Sequence, residues 1–105
     1  MKREESVLNI RKTIENGKGT VALEGRLDTA TSPEREAELD ASLDGVRELI
    51  LDFEKLEYIS SAGLRVLLDI YKRMERQGTM TLVHVQKTAM EIFELKGFSD
   101  VLTIE

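Results

Sequence analysis

Tyr58-Ile59-Ser60-Ser61-Ala62-Gly63-Leu64-Arg65 is the stretch from which the rest of this 105-residue chain can be read. Upstream lies an apolar, strand-like run, Glu48-Leu49-Ile50-Leu51-Asp52-Phe53; downstream lies the strongest helical pattern in the sequence, Leu64 to Met74. Two adjacent hydroxyls and a small-small step therefore fall at a strand-to-helix transition. A helix N-terminus has unpaired backbone N–H groups and the positive end of the helix dipole, so groups placed there meet an anion-receptive site.

Downstream, Leu64, Leu67, Leu68, Tyr71 and Met74 keep helical spacing, Val66 and Ile70 widen the stripe, and Gln77-Gly78 is the stop. Thr79 to Val85 reads as a further strand and Thr88 to Leu95 as a short amphipathic helix ended by Lys96-Gly97. Val101 to Ile104 reads as a last short strand or edge. Upstream, Leu49-Ile50-Leu51 is apolar without alternation, which predicts a central parallel strand buried on both faces, within Val46 to Phe53. Glu54 to Glu57 reads as a loop.

Nearer the start, Ser6 to Ile14 alternates as a strand, with Val7, Leu8, Ile10 and Ile14 apolar. Asn16-Gly17-Lys18-Gly19 is a turn signal and Thr20 to Leu23 a second strand, so an antiparallel hairpin is expected. Gly25-Arg26-Leu27-Asp28-Thr29-Ala30 is expected to leave the sheet. A helix then starts at Thr31-Ser32-Pro33-Glu34, capped by Ser32 with Pro33 following, or by Thr31 with Glu34 reaching back. Ala37, Leu39, Ala41 and Leu43 form its apolar side, and Asp44-Gly45 ends it. Strands separated by helices require crossover connections, hence an α/β fold with a mixed, partly parallel sheet and flanking helices. The length supports one domain, residues 1–105.

Composition excludes several classes of function. A net charge of −5 argues against nucleic acid, which requires a basic face, and against an anionic membrane surface; a basic patch on a protein partner is the natural complement. Without cysteine there is neither a disulfide nor a thiolate metal site. No apolar run has the roughly 18 residues a spanning helix needs. Met1-Lys2-Arg3-Glu4-Glu5 is charged and has no signal-peptide core after it, so a cytoplasmic location is expected.

Two places carry chemistry. At Ser60-Ser61 only one hydroxyl is needed to cap the helix, so Ser60 as cap leaves Ser61 free at the first helical position, with Ala62 and Gly63 keeping the approach open. Gly25 to Ala30 is the second, with Asp28 placed to satisfy loop N–H groups. Serine catalysis is not expected, because it requires a base and the single histidine, His84, reads as an ordinary strand residue. No phosphate-cradling G-x-x-x-x-G-K-[ST] is present. Scattered Asp and Glu read as solvated surface, so no metal or other cofactor is expected.

Gly25-Arg26-Leu27-Asp28-Thr29-Ala30, Leu51-Asp52-Phe53 and Tyr58-Ile59-Ser60-Ser61-Ala62-Gly63-Leu64, in this order and spacing, resemble the STAS domain of anti-sigma factor antagonists. The resemblance covers nearly the whole chain. It implies a small mixed sheet with helices beside it, and a non-enzymatic partner switch of bacterial transcription. In that switch the unphosphorylated antagonist binds an anti-sigma factor that is also a serine kinase and so frees a sigma factor. ATP-dependent phosphorylation of a serine at the helix start breaks the complex, and a PP2C-type phosphatase restores it. The family motif, commonly Asp-Ser-(Ser/Thr)-Gly-Leu, aligned through Gly63-Leu64, puts the acceptor on Ser61, with Ser60 the alternative. Ser60 replaces the family's Asp, so a hydroxyl can still cap the helix but a negative charge is lost.

The partner surface implied is Asp28, Thr29, Ser60, Ser61, Ala62, Gly63, Leu64 and Arg65, with Arg65 one turn past Ser61. The family further suggests a monomer that pairs with a kinase dimer. A STAS subunit of a lipid or anion transport complex, without a phosphorylation cycle, and a stressosome-type scaffold are the alternatives.

Overall fold

The computed structural model describes residues 8–105. Strand β1 (Leu8–Glu15) turns through Asn16-Gly17 into β2 (Lys18–Leu27). Both turn residues have positive φ, 53° and 79°, which matches a two-residue turn twisted like its flanking strands. Helix α1 (Ser32–Ser42), β3 (Glu48–Asp52), β4 (Leu56–Ile59), α2 (Ser61–Gln77), β5 (Thr79–Val83), α3 (Lys87–Leu95), a 3₁₀ turn (Phe98–Asp100) and β6 (Thr103–Ile104) follow. The sheet runs β1-β2-β3-β5-β6, with β4 beside the second half of β2. Among the described strands only the β1–β2 pair is antiparallel. The expected mixed α/β sheet, hairpin and crossovers are present, and no helix among the described residues is long and apolar enough to cross a membrane.

One face of the sheet carries the core. Val21, Leu51 and Leu82 stand in register on neighbouring strands and are fully buried. Leu39 and Leu43 of α1, Leu64, Val66, Leu67, Ile70 and Met74 of α2, and Ala89 and Phe93 of α3 close over this face. Phe53 meets Phe93 with ring centroids 6.3 Å apart and planes tilted by 51°. A buried leucine is worth about 1.5–3 kcal/mol over an exposed one, so these apolar rows hold the helices to the sheet. The opposite row, Arg11-Ala22-Asp52-Val83, is uncovered enough to hold charged groups.

Several sequence expectations are corrected. Ile50 is only half-buried, so β3 is central and parallel but buried on one face, because all the core-forming helices lie on the other side from Ile50. Gly25 to Leu27 stays in the sheet, and the loop expected over Glu54 to Glu57 ends early, because Leu56 and Glu57 open the strand Leu56 to Ile59: the two stretches give each other a parallel partner, across a register shift at Gly25/Arg26. The strand start at Ser6 and Val7 lies outside the described residues, and Ile14, one of the apolar residues of the alternating pattern, is 44% exposed. Ala37 and Ala41 of α1 are exposed. Thr31 sits at the α1 cap position without making a cap bond, because its hydroxyl is engaged in the preceding loop. Pro33 does fall in the first helical turn. His84 lies beyond β5 with φ +57°, so it is not a strand residue.

Candidate functional site

Helix α2 begins where the sequence places Ser60 and Ser61. Ser60 is the N-cap in extended conformation, and the Gly63 N–H donates to its Oγ at 3.3 Å. The hydroxyl thereby satisfies one of the orphan donors of the first turn. Ser61 is the first helical residue and is exposed, whereas Ser60 is half-buried. No acidic residue occupies this first turn, so the positive end of the dipole is not offset locally.

Residue by residue, Gly63 and Leu64 are buried, Ala62 is half-buried and Arg65 is exposed. Gly63 is required by contact: a Cβ there would stand 2.5 Å from the Leu27 carbonyl oxygen and 2.8 Å from Ile59 Cγ1. The helix start is thus pressed onto the ends of β2 and β4.

This contact brings the two candidate stretches together, which linear spacing alone does not reveal. Leu27 pairs with Ile59, and the Ser60 N–H donates to the Leu27 carbonyl at 3.0 Å. The Asp28 loop therefore emerges beside the serine loop. Asp28 is 8% exposed and its Oδ1 accepts from the N–H groups of Ala30 (3.0 Å) and Thr31 (3.1 Å). The Thr31 hydroxyl donates to the Arg26 carbonyl at 2.9 Å and accepts the Asp28 N–H at 3.0 Å. Asp28 thus organises the loop as its residue type suggests, while Thr29 and Ala30 are exposed at the tip.

Two features escape a linear reading. Arg26 lies over the Tyr58 ring, 4.3 Å from its centroid, with Nε 3.4 Å from Asp28 Oδ2. This stack joins the ends of β2 and β4 at the surface, where Tyr58 is 43% exposed. The β2–β4 register pairs Arg26 with Tyr58, and only recognition of β4 as a strand could have found it. Two turns along α2 from Ser61, Asp69 faces Glu36 of α1. Its hydrogen bond, together with burial and charge repulsion, raises the Glu36 pKa above the ordinary carboxylate value, and Arg65 pulls it back down.

A second cluster lies on the open face. His84 Nδ1 is 3.0 Å from Asp52 Oδ1 and 3.8 Å from Glu54 Oε1. Burial pushes the Asp52 carboxyl up, but the Glu54 N–H and the His84 ring outweigh it and hold the group below its usual value. His84 is raised by its hydrogen bond to Asp52 and by the charges of Asp52 and Glu54. The expectation that ligand-type side chains are merely scattered is corrected here, because the β3–β5 pairing gathers residues 32 positions apart.

The STAS domain family model matches residues 9–105. BtrV of Bordetella bronchiseptica, named as an anti-sigma factor antagonist, is 39% identical over 84 residues, 78% of this chain and 72% of its own. The anti-sigma-B factor antagonist of Staphylococcus aureus is 27% identical over 99 residues, 92% of either chain. Among solved structures, an anti-sigma factor antagonist from Mycobacterium paratuberculosis has a TM-score of 0.84 at 20% identity, over 93% of this chain and 85% of that one. The anti-sigma factor antagonist SpoIIAA in its unphosphorylated form gives 0.78 at 19% identity, over 94% and 88%. These structural likenesses establish a shared fold.

Proposed function

Because the chain belongs to the STAS domain family, we propose that it is an anti-sigma factor antagonist switched by reversible phosphorylation of Ser61. The observation that carries this reading is Ser61, exposed at the first position of α2 beside the Asp28 loop. Thr29, Ser60, Ser61, Ala62 and Arg65 supply the contact surface. Asp28, Gly63 and Leu64, which are buried, set its shape from beneath. The partner is an anti-sigma factor with serine kinase activity, and a PP2C-type phosphatase reverses the modification.

In the forward step a bond forms between Ser61 Oγ and the γ-phosphorus of ATP, while the bond to the ADP leaving oxygen breaks. The hydroxyl proton passes to a base on the kinase. The half-buried Ser60 is the less accessible of the two hydroxyls, and its oxygen already accepts the Gly63 N–H. A phosphoserine adds about −1.5 to −2 charges. At the helix start it is tolerated, with about 0.3–1 kcal/mol of favourable dipole interaction. In a packed interface the same group is desolvated and too large, and about 1.4 kcal/mol lost is tenfold in affinity. SpoIIAA has also been solved in a phosphorylated form, and this chain shares that fold with a TM-score of 0.71 at 19% identity.

The test is incubation with the cognate kinase and ATP, followed by mass mapping. Phosphate is expected on Ser61 and on no residue of Ser61→Ala. Unchanged modification of that variant, or no modification of the native chain, overturns the assignment.

A further inference from the structure

His84 is the single histidine in a chain without cysteine, so it is the chain's sole imidazole or thiol ligand. Folding places it against two carboxylates. The donor atoms of Asp52, Glu54 and His84 all lie within 4.8 Å of one another, with two separations of 3.0 and 3.8 Å. Ligands of a four-coordinate zinc at about 2.0–2.1 Å sit roughly 3.3 Å from each other, a value those two separations bracket. Only side-chain adjustments separate the observed group from a coordinating one.

The backbone beneath is held in place. The Phe53 N–H donates to the Val83 carbonyl at 3.0 Å and the Glu54 N–H to Asp52 Oδ1 at 2.9 Å. The Gln86 side-chain amide donates to the Glu54 carbonyl at 2.6 Å. His84 and Glu54 are exposed, which leaves coordination positions open to water or to a ligand from outside. The adjoining depression of about 310 Å³ also carries Arg11, Glu24 and Lys55. Arg11 is paired with Glu24 at 3.2 Å, and the charge of Lys55 favours the ionised form of Asp52.

From this geometry we propose that Asp52, Glu54 and His84 bind a divalent transition-metal cation of the zinc class, tying the end of β3 to the exit of β5. One imidazole with two carboxylates suits such a cation, whereas magnesium and calcium favour all-oxygen sites. The two carboxylate charges offset a dication. The site is separate from the serine loop: Asp52 pairs with Ala22 and Ile59 with Leu27, five residues or about 17 Å along β2.

The experiment is calorimetric titration of the full chain with zinc chloride at neutral pH, with the His84 imidazole followed by NMR. Saturable one-to-one binding with displacement of the His84 resonances is expected. It should weaken about tenfold or more in His84→Asn, whose asparagine tolerates the left-handed backbone, and also in the exposed-site variant Glu54→Gln. Saturating zinc should raise the unfolding temperature of the native chain by roughly 5 °C and leave that of His84→Asn unchanged. Absence of binding, equal affinity in His84→Asn, or equal affinity for magnesium overturns the proposal.

Discussion

Gly63 packs against Leu27 so closely that a methyl group on Gly63 would stand 2.5 Å from the Leu27 carbonyl oxygen. This contact fixes the start of α2 against the end of β2, and with it the position of Ser61 relative to Asp28. Alanine at position 63 gains about 1 kcal/mol of helix propensity. The obstruction is backbone, which cannot rotate away, and overpacking costs about 1–3 kcal/mol. Gly63→Ala is therefore expected to lower the unfolding temperature by several degrees and to shift the amide resonances of Leu27 to Thr31. A more stable variant with unshifted resonances would refute the contact.

Ser60 holds the helix end through one side-chain bond of 3.3 Å to the Gly63 N–H. Ser60→Ala should cost about 1 kcal/mol, measured by urea denaturation. Ser60→Asp should retain the cap and add about 0.3–1 kcal/mol through the dipole. Equal stability of all three chains would show that the cap is energetically silent.

Ser61→Asp places a negative charge at the exposed first position of α2. Binding to the anti-sigma factor should weaken about tenfold, or about 1.4 kcal/mol, while Ser61→Ala keeps it. Titration calorimetry decides this, and equal affinity of the Asp variant counts against an electrostatic switch.

The Asp52–His84 pair should register in pH titrations of the metal-free protein. The folded-state pKa of His84 is raised by Asp52, so its stabilisation is full below the unfolded value near 6.5 and is lost as pH rises through the higher folded value. That of Asp52 is lowered, so its stabilisation is present above about 3.9 and is lost as pH falls through the folded value. The pair thus contributes most between about pH 4 and 6.5. In EDTA-containing buffer the His84 imidazole midpoint should lie above about 6.5 and move back toward it in Asp52→Asn. A native midpoint at or below the ordinary value would remove the ion pair.

Much of the fold was legible because its signals are local. The Leu64-Leu67-Ile70-Met74 spacing, the Asn16-Gly17 turn and the cap-type Ser60 each act within one turn of chain, so residue type alone specifies them. The same locality made the serine pair readable as a helix start with one hydroxyl left over. Misreadings arose where a partner strand decides the outcome. Leu56 and Glu57 look like loop until Gly25 to Leu27 offers the short strand Leu56 to Ile59 a partner. Ile50 is as apolar as Leu49 and Leu51, yet it is only half-buried, since no helix among the described residues covers its face.

By itself, then, the sequence determined the element order, the mixed α/β class and Ser60-Ser61 at the head of α2. Only the tertiary structure decided that Asp28 lies beside that head, that Arg26 stacks on Tyr58, and that Asp52, Glu54 and His84 meet. The physical reason is the parallel sheet. Its neighbouring strands are joined by long crossovers, so side chains that meet on it are set by register, which no local spacing encodes.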